Sequence, residues 1–374
     1  MLKWITTLIL IAGVGTAMAD ERQDLLNSVG IKPENGMRGQ MDKVGYVTTA
    51  AQMDSVLAQS RALAAARAKE LAAHGVAADA AFAAAVCPHD DYYYASRLYA
   101  LVTPHIRAKT VILFGVFHKA RAFEWRDKLV FDSFEKWRGP YGPVAVSSLR
   151  SDLMAKLPAD DFVVNNDMQQ VEHSVEGIVP WLQANNRGVE IVSILVPYMG
   201  WDTMAKLSAD VSTALAAIMK ERGLVLGRDV AIISSSDAVH YGDAGWGGSN
   251  HAEFGTTPDG YEKAVARDHK LMATMLTGAV REQALREFLY TCVDSKDVTQ
   301  YKITWCGRFS VPFGLNVASR VSTALTGAPL KGTMLDYGTS LSEVSLDLDK
   351  IPGLGTTAPN NLHHWVGYPA IGYW

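Results

Sequence analysis

An unbroken apolar run, Val111–Phe114, limits the possible folds of this chain more than any other feature. It lies within Thr110–Lys119, which reads T-V-I-L-F-G-V-F-H-K. Because side chains alternate between the two faces of a strand, such a run is typical of a central strand that is covered on both sides. Gly115 allows the backbone to turn, and His118 follows at the carboxyl edge, where ligands bind in open α/β sheets.

Two other segments repeat the pattern of an apolar run that ends in a histidine. They are Ala81–His89, which reads A-F-A-A-A-V-C-P-H, and Val230–His240, which reads V-A-I-I-S-S-S-D-A-V-H. The carboxyl ends of parallel strands meet at one edge of a sheet, so we expect the three histidines to share one site. A lone histidine is more often a structural residue, but three at equivalent strand ends favour a functional cluster.

The order of the segments predicts an α/β fold. Strand-like apolar runs alternate with helical stretches, which indicates a three-layer α/β/α sandwich around a mostly parallel, mixed sheet. We expect a polar N-terminal arm over residues 20–45, a single α/β domain over residues 46–338, and a C-terminal tail over residues 339–374 that packs on the domain.

Local composition predicts the structure of two further segments. Val171–Asn185 has apolar residues on one face and is expected to form a helix that Pro180 bends. Ile351–Trp374 carries prolines, glycines and aromatic residues, and is expected to wrap the domain as coil.

Residues 1–19 are predicted to be a signal peptide. Lys3 precedes an apolar stretch from Trp4 to Val14, and Ala17-Met18-Ala19 forms an A-x-A cleavage site. This stretch is too short to span a membrane, so we expect an exported, periplasmic protein with no stable membrane insertion after cleavage. Retention of the segment as an N-terminal anchor is the alternative.

Charge and glycine pattern argue against two classes of ligand. The 374-residue chain has a formal net charge of −4, which becomes −5 (−4 − 1) when Lys3 is removed. Because no basic stripe is present, we expect no nucleic-acid partner. The glycine-rich segment Tyr241–Thr257 follows a candidate histidine but lacks G-x-G-x-x-G and G-K-[ST], so we expect no nucleotide cofactor.

The three cysteines are too few for a disulfide scaffold, and their odd number leaves at least one thiol free. In an oxidising compartment, a free thiol needs burial, metal ligation or chemistry. Cys87 lies two residues before His89, so both side chains would share one face of a strand. One hypothesis is that Cys87 approaches Cys306 as a second thiolate ligand or as a redox disulfide partner. The alternative is a buried apolar cysteine.

Five motifs follow one another along the chain: C-P-H-D-D-Y-Y-Y, F-G-V-F-H, E-H-S-V-E, S-S-S-D-A-V-H-Y-G and C-G-R-F-S-V-P-F-G-L-N-V. In this order they resemble those of the Memo family, whose bacterial members are called AmmeMemoRadiSam system protein B. The resemblance covers about residues 40–335. The family is similar in fold to class III extradiol dioxygenases, which use non-haem Fe(II).

The resemblance implies a set of site residues. Metal ligands are expected at His89, His118 and Cys306, while His240 and Asp237 line the same pocket and Glu172 and His173 lie nearby. Imidazole and thiolate suit Fe(II), Cu or Zn, and two histidines with one cysteine leave an open coordination position, as catalytic zinc sites do.

The first motif departs from the family's usual P-H-A-G-Y. Asp90 and Asp91 stand where a small residue and a glycine are expected. Carboxylates at these positions, next to a metal-binding histidine, would add an oxygen ligand or repel an anionic substrate.

Our first functional hypothesis is a metal-dependent redox enzyme that holds one transition-metal ion, Fe(II) or Cu, with Zn also suitable. His240 would act as acid or base, and Asp237 would orient it. A cysteine ligand argues against ring cleavage, because the dioxygenases use a carboxylate as third ligand and a thiolate is itself oxidisable. The second hypothesis is a non-catalytic module that binds a metal or a peptide in the same cleft.

We expect the partner to be a small molecule or a peptide, which the sequence does not identify.

Two hydrolase hypotheses are weaker. A serine hydrolase would use Ser234–Ser236 with Asp237 and His240, but the segment lacks a G-x-S-x-G elbow. A cysteine hydrolase with Cys306 as nucleophile and His89 as base is similarly disfavoured.

Overall fold

The computed structural model of the protein describes residues 17–342 and 344–374. Most of the predicted signal peptide, residues 1–16, lies outside the described residues. Residues 17–27 are helical and include the predicted cleavage site after Ala19. Among the described residues, no helix combines the length and apolar character that crossing a bilayer requires.

In the described part of the chain, fourteen strands form one mixed sheet. The strands are β1 (Met37–Arg38), β2 (Ala84–Cys87), β3 (Thr110–Val116), β4 (Leu129–Phe131), β5 (Lys136–Trp137), β6 (Val144–Val146), β7 (Phe162–Val164), β8 (Glu190–Val196), β9 (Val230–Ser235), β10 (His240–Gly242), β11 (Gly278–Ala279), β12 (Lys331–Thr339), β13 (Asn360–Asn361) and β14 (His364–Tyr373).

Helices connect the strands, which confirms the predicted α/β class. They are α1 (Ala50–Ala73), α2 (Tyr92–Val102), α3 (Leu149–Lys156), α4 (Asn166–Gln170), α5 (Val179–Asn185), α6 (Trp201–Arg222), α7 (Pro258–Leu271), α8 (Glu282–Cys292) and α9 (Ser310–Thr326).

Four parallel strands form the centre of the sheet, in the order β8-β3-β9-β2. The apolar run of the sequence lies in β3, which is buried from Val111 to Val116. Val111 and Leu113 pack into the apolar cluster on one face, and Ile112 and Phe114 pack into the cluster on the other. The central strands are therefore covered on both faces, as the unbroken run predicts.

The C-terminal segment does not form coil throughout. Residues 364–373 form β14, which pairs antiparallel with β2 on one side and with β12 on the other. Pro369 and the glycines misled the prediction for Ile351–Trp374. On one side of β14, Pro369 lies between the residues that pair with β10 and those that pair with β2. Its missing N–H therefore removes no hydrogen bond between strands. At Gly372, a Cβ atom would come within 2.4 Å of the Phe82 ring.

The predicted helix over Val171–Asn185 is wrong for its first half. α4 ends at Gln170, and α5 begins only at Val179, with Pro180 in its first turn, where a missing N–H costs no helical hydrogen bond. The intervening turn, residues 171–178, lies over the carboxyl end of β3, because the Ser174 hydroxyl donates a hydrogen bond of 2.8 Å to the Val116 carbonyl.

The burial of β14 predicts a large effect of Ile371→Ala. Its fully buried side chain leaves a cavity when truncated, so we expect the free energy of unfolding to fall by about 2–5 kcal/mol. Val225→Ala is the matched control: this side chain is 45% exposed, and the expected change is within about 0.5 kcal/mol. Chemical denaturation measures both, and an equally small effect at both positions would contradict a core strand here.

Candidate metal centre

The carboxyl ends of three neighbouring strands bring the candidate site together. His89, His118 and Asp237 each lie two residues beyond the last residue of β2, β3 and β9, respectively. Because these strands are parallel and adjacent, the three side chains start from the same edge of the sheet. Cys306 reaches this edge from the loop before α9, where its N–H donates a hydrogen bond of 3.2 Å to the Ala238 carbonyl.

The three predicted metal ligands meet at this edge. The ring centroids of His89 and His118 are 5.2 Å apart, and Nε2 of His118 lies 2.8 Å from Sγ of Cys306. His118 and Cys306 are 188 positions apart along the chain, so only the fold places them together.

Glu172 orients the ring of His118. Its carboxylate accepts hydrogen bonds from the backbone N–H of His118 at 2.7 Å and from ring Nδ1 at 2.8 Å. With Nδ1 held by the carboxylate, Nε2 points toward Cys306. Burial lowers the pKa of His118, but the Cys306 thiol and the Glu172 carboxylate outweigh it and raise this pKa well above its usual range, so Nε2 shares a proton with the sulfur that a metal ion would displace. Burial alone raises the pKa of Glu172, but the adjacent His118 outweighs it and holds this pKa below its usual range. Glu172 therefore orients His118, a candidate metal ligand, through the ring nitrogen that does not face Cys306.

Two serines orient the ring of His89. The Ser235 hydroxyl donates to the Ser174 carbonyl, so it accepts the hydrogen of Nδ1 of His89 over 2.7 Å. Nε2 of His89 is buried and forms no hydrogen bond of good geometry, although it lies 3.1 Å from Oδ2 of Asp237. Burial lowers the pKa of His89 to about 4, which keeps the imidazole neutral at pH 7. The neutral imidazole is the form of histidine that binds a metal ion.

Cys306 carries a thiol that ionises readily. Burial raises its pKa, but the facing imidazoles of His118 and His89 outweigh this effect and hold the pKa well below its usual range. The next residue, Gly307, allows this approach: a Cβ atom there would lie 2.2 Å from the Ser236 hydroxyl oxygen. The thiolate is the form of cysteine that binds metals.

The potential ligand atoms fall into two overlapping groups. Those of His89, His118 and His173 lie within 4.8 Å of one another, and those of His89, Asp237 and Cys306 do so as well. The close contact between His118 and Cys306 joins the two groups. Together, these donors fit a transition-metal ion better than a hard cation, because nitrogen and sulfur predominate.

His240 reaches the site by a route that the sequence did not predict. β9 ends at Ser235, and His240 begins β10, which pairs with β14. Val230–His240 is therefore not one strand with a histidine at its end, and Asp237 takes the equivalent position. His240 still lines the cleft. The Asp237 carboxylate contacts His89 rather than His240, since Oδ1 accepts from the His89 N–H at 2.9 Å.

The two unexpected carboxylates of the first motif have different environments. Asp91 accepts hydrogen bonds from the Thr357 N–H at 2.5 Å and the Ala358 N–H at 2.7 Å, so it anchors the C-terminal segment and is not directed at the candidate ligands. Asp90 lines the cleft and accepts from the Tyr368 hydroxyl at 3.0 Å. Burial, followed by the charge of Asp91, raises the pKa of Asp90 to about 7.

The candidate ligands open into a cleft of about 230 Å³. Sequence reasoning missed several of its walls, because they come from segments without a motif: Lys119, Thr357, Ala358, Pro359 and Val366. It also did not predict that Ser174 and Ser235 orient His89, because this role depends on contacts between distant segments.

The structure does not support a Cys87–Cys306 disulfide. All three cysteines are free, and Cys87 is buried in the apolar cluster that contains Tyr92 and Tyr99. Burial raises the pKa of the Cys87 thiol, and Cys87 belongs to neither ligand group. Cys292 is also buried, which raises its pKa to about 12. Cys87 and Cys292 therefore resemble apolar core residues, whereas Cys306 does not.

The chain matches a family model described as Memo-like protein over residues 53–356. A MEMO1 family protein of Pyrococcus abyssi is 30% identical over 42% of this chain and 53% of the relative, about half of that relative's length. MEMO1 family proteins of Pyrococcus furiosus and Thermococcus kodakarensis are 25% and 26% identical, over 72% and 74% of this chain and 84% and 86% of the relatives.

The orientation of His89 by a serine predicts weaker metal binding in Ser235→Ala. Without the hydroxyl, Nδ1 loses its acceptor and the ring its fixed orientation, so we expect Zn(II) affinity to fall about 10–100-fold. Ser234→Ala is the control, because its buried hydroxyl has no hydrogen-bond partner among the described residues. Calorimetric titration measures both, and unchanged affinity in Ser235→Ala would contradict this role.

Proposed function

The chain belongs to the Memo-like protein family, and we propose that it is a metal-binding protein with a mononuclear Fe or Cu redox centre in the cleft. One observation supports this most directly: the Cys306 thiol, whose pKa is lowered, contacts Nε2 of His118 and lies close to a ring nitrogen of His89. Sulfur and imidazole donors suit Cu, Fe and Zn, and of these Cu and Fe change oxidation state.

We assign the metal ligands to His89, His118 and Cys306. An ion bound there would supply redox and Lewis-acid chemistry to a molecule in the cleft. Glu172 and Ser235 hold Nδ1 of the two imidazoles, so that Nε2 of each is the nitrogen available to the ion.

His240 is the candidate acid or base. It lines the cleft, and its Nε2 has no hydrogen-bond partner among the described residues, so this nitrogen is free to exchange a proton with a bound molecule. Asp237 holds the backbone of His89 in place, and we propose no direct proton transfer from it to His240.

The size of the cleft favours a small molecule over a peptide as the partner. Its volume of about 230 Å³ is below the roughly 300–1,000 Å³ that is usual for pockets of drug-sized ligands. We therefore propose a small substrate that enters beside Lys119 and His173, and we disfavour a peptide that fills this cleft.

The Cys306–His118–Glu172 arrangement also resembles that of a cysteine hydrolase, with nucleophile, base and orienting carboxylate in line. Two observations argue against this function. Cys306 is only 6% exposed, and it is not among the residues that line the cleft. A nucleophile must reach its substrate, whereas a metal ligand need not.

Metal content tests the proposed centre. We expect the protein purified from its own compartment to contain about one equivalent of Fe or Cu and His89→Ala to contain little, because the ion loses a direct ligand. His74→Ala is the control, since His74 is an exposed residue at the end of α1 and should leave metal content unchanged. Equal metal content in all three proteins would contradict the assignment.

Exposure of the anaerobically loaded protein to oxygen then separates a redox centre from a non-catalytic module. A redox centre changes oxidation state, which electron paramagnetic resonance detects. A module that only binds the metal shows no such change.

We also propose that the protein is exported and that signal peptidase cleaves it after Ala19, on the basis of the N-terminal sequence. The expected mature N-terminus is Asp20, and cell fractionation should recover the protein in the periplasm. N-terminal sequencing checks the cleavage. A cytoplasmic protein that retains Lys3 would contradict export.

A further inference from the structure

His173 is a histidine of the cleft without a structural partner. Its ring lies 4.9 Å from that of His118 and 5.8 Å from that of His89, measured between centroids. Unlike these two neighbours, it forms no hydrogen bond with any residue in the ranges 17–342 and 344–374. This half-buried imidazole lines the cleft beside two other imidazoles and has no partner among the described residues, so its nitrogens are available to a ligand.

The geometry of the three rings matches that of a metal site with three histidines. An ion about 2.0–2.1 Å from three imidazole nitrogens in tetrahedral geometry holds the ring centroids about 5 Å apart. The observed separations of 5.2, 5.8 and 4.9 Å are close to this arrangement. The nitrogen atoms already lie within 4.8 Å of one another, so small side-chain rotations bring them to bonding distance.

The position of His173 is fixed by its backbone. It lies in the turn over the end of β3, between Glu172, which holds His118, and Ser174, whose carbonyl holds Ser235. The turn over residues 171–178 therefore orients His118 and His89 and also places the ring of His173 beside theirs. A turn that existed only to orient two ligands would not need a third imidazole in the cleft.

We propose that His173, with His89 and His118, forms a second, all-nitrogen donor set, so that the cleft offers a transition-metal ion two positions that share His89 and His118. This inference rests on the proposed metal centre and extends it. In one position the ion is bound through Cys306, and in the other through His173. Three imidazoles suit Zn(II), Cu(II) and Fe(II), whereas thiolate coordination selects softer ions such as Cu(I).

Anaerobic titration with Co(II) tests this inference by spectroscopy, without any activity measurement. In the wild-type protein, the thiolate of Cys306 gives a sulfur-to-cobalt charge-transfer absorption. In Cys306→Ser, we expect Co(II) still to bind, without that absorption, through the three imidazoles. Adding His173→Ala to Cys306→Ser should weaken Co(II) binding about 100-fold or more, because loss of a direct ligand exceeds the usual effect of an orienting residue.

Two further variants serve as controls. Cys306→Ser with His251→Ala should bind Co(II) as Cys306→Ser does, because His251 packs on Trp246 and belongs to neither ligand group. Cys306→Ser with His173→Gln repeats the loss of the imidazole with a polar side chain, and thermal unfolding of the apo proteins shows that each variant is folded.

The outcomes separate the two proposals. If Cys306→Ser binds no Co(II) while the wild-type protein does, or if His173→Ala has no effect in the Cys306→Ser background, the second donor set is overturned. If the wild-type protein lacks the charge-transfer absorption but Cys306→Ser binds Co(II) through His173, the sulfur ligand of the proposed function fails and the second set stands. If neither protein binds Co(II), both proposals fail.

Discussion

The register of the parallel strands β2, β9 and β3 is the constraint on which the site depends. Cys87 pairs with Ser235, and Phe114 pairs with Ser234, so the three strands end at nearly the same level. Neighbouring strands lie about 4.8 Å apart, which is also the scale on which metal ligands must converge. A slip of one residue would turn each strand's side chains to the opposite face and disperse the site.

Hydrogen bonds from neighbouring residues then fix the orientation of the two candidate histidine ligands. The turn over residues 171–178 supplies both the Glu172 carboxylate, which holds His118, and the Ser174 carbonyl, which holds Ser235 and through it His89. These bonds leave Nε2 of each histidine facing the cleft. Burial keeps His89 neutral, and the facing imidazoles lower the pKa of the Cys306 thiol, so these two groups are held in the form that binds a metal ion, whereas His118 must give up a proton to do so.

The C-terminal part of the chain contributes a strand to the sheet and a wall to the cleft. β14 lies inside the sheet, next to β2, and so supports the strand that carries His89. The segment just before it is anchored by Asp91, which accepts hydrogen bonds from Thr357 and Ala358, and these residues form one wall of the cleft. Asp91 thus links the first motif to the end of the chain, which accounts for a carboxylate where the family's usual motif has a glycine.

The sequence by itself determined the α/β class and the central strand at Val111–Phe114, and its motifs, through their resemblance to a family, named the candidate ligands His89, His118 and Cys306. An unbroken apolar run and a short motif are local properties that a sequence displays directly. Prediction from the sequence failed where contacts with distant segments decide the local structure. Residues 364–373 contain Pro369 and glycines that disfavour a strand, yet pairing on both sides makes them one. The place of His240 in β10, the two serines behind His89 and the free imidazole of His173 likewise depend on contacts between segments far apart in the chain, which only the tertiary structure decided.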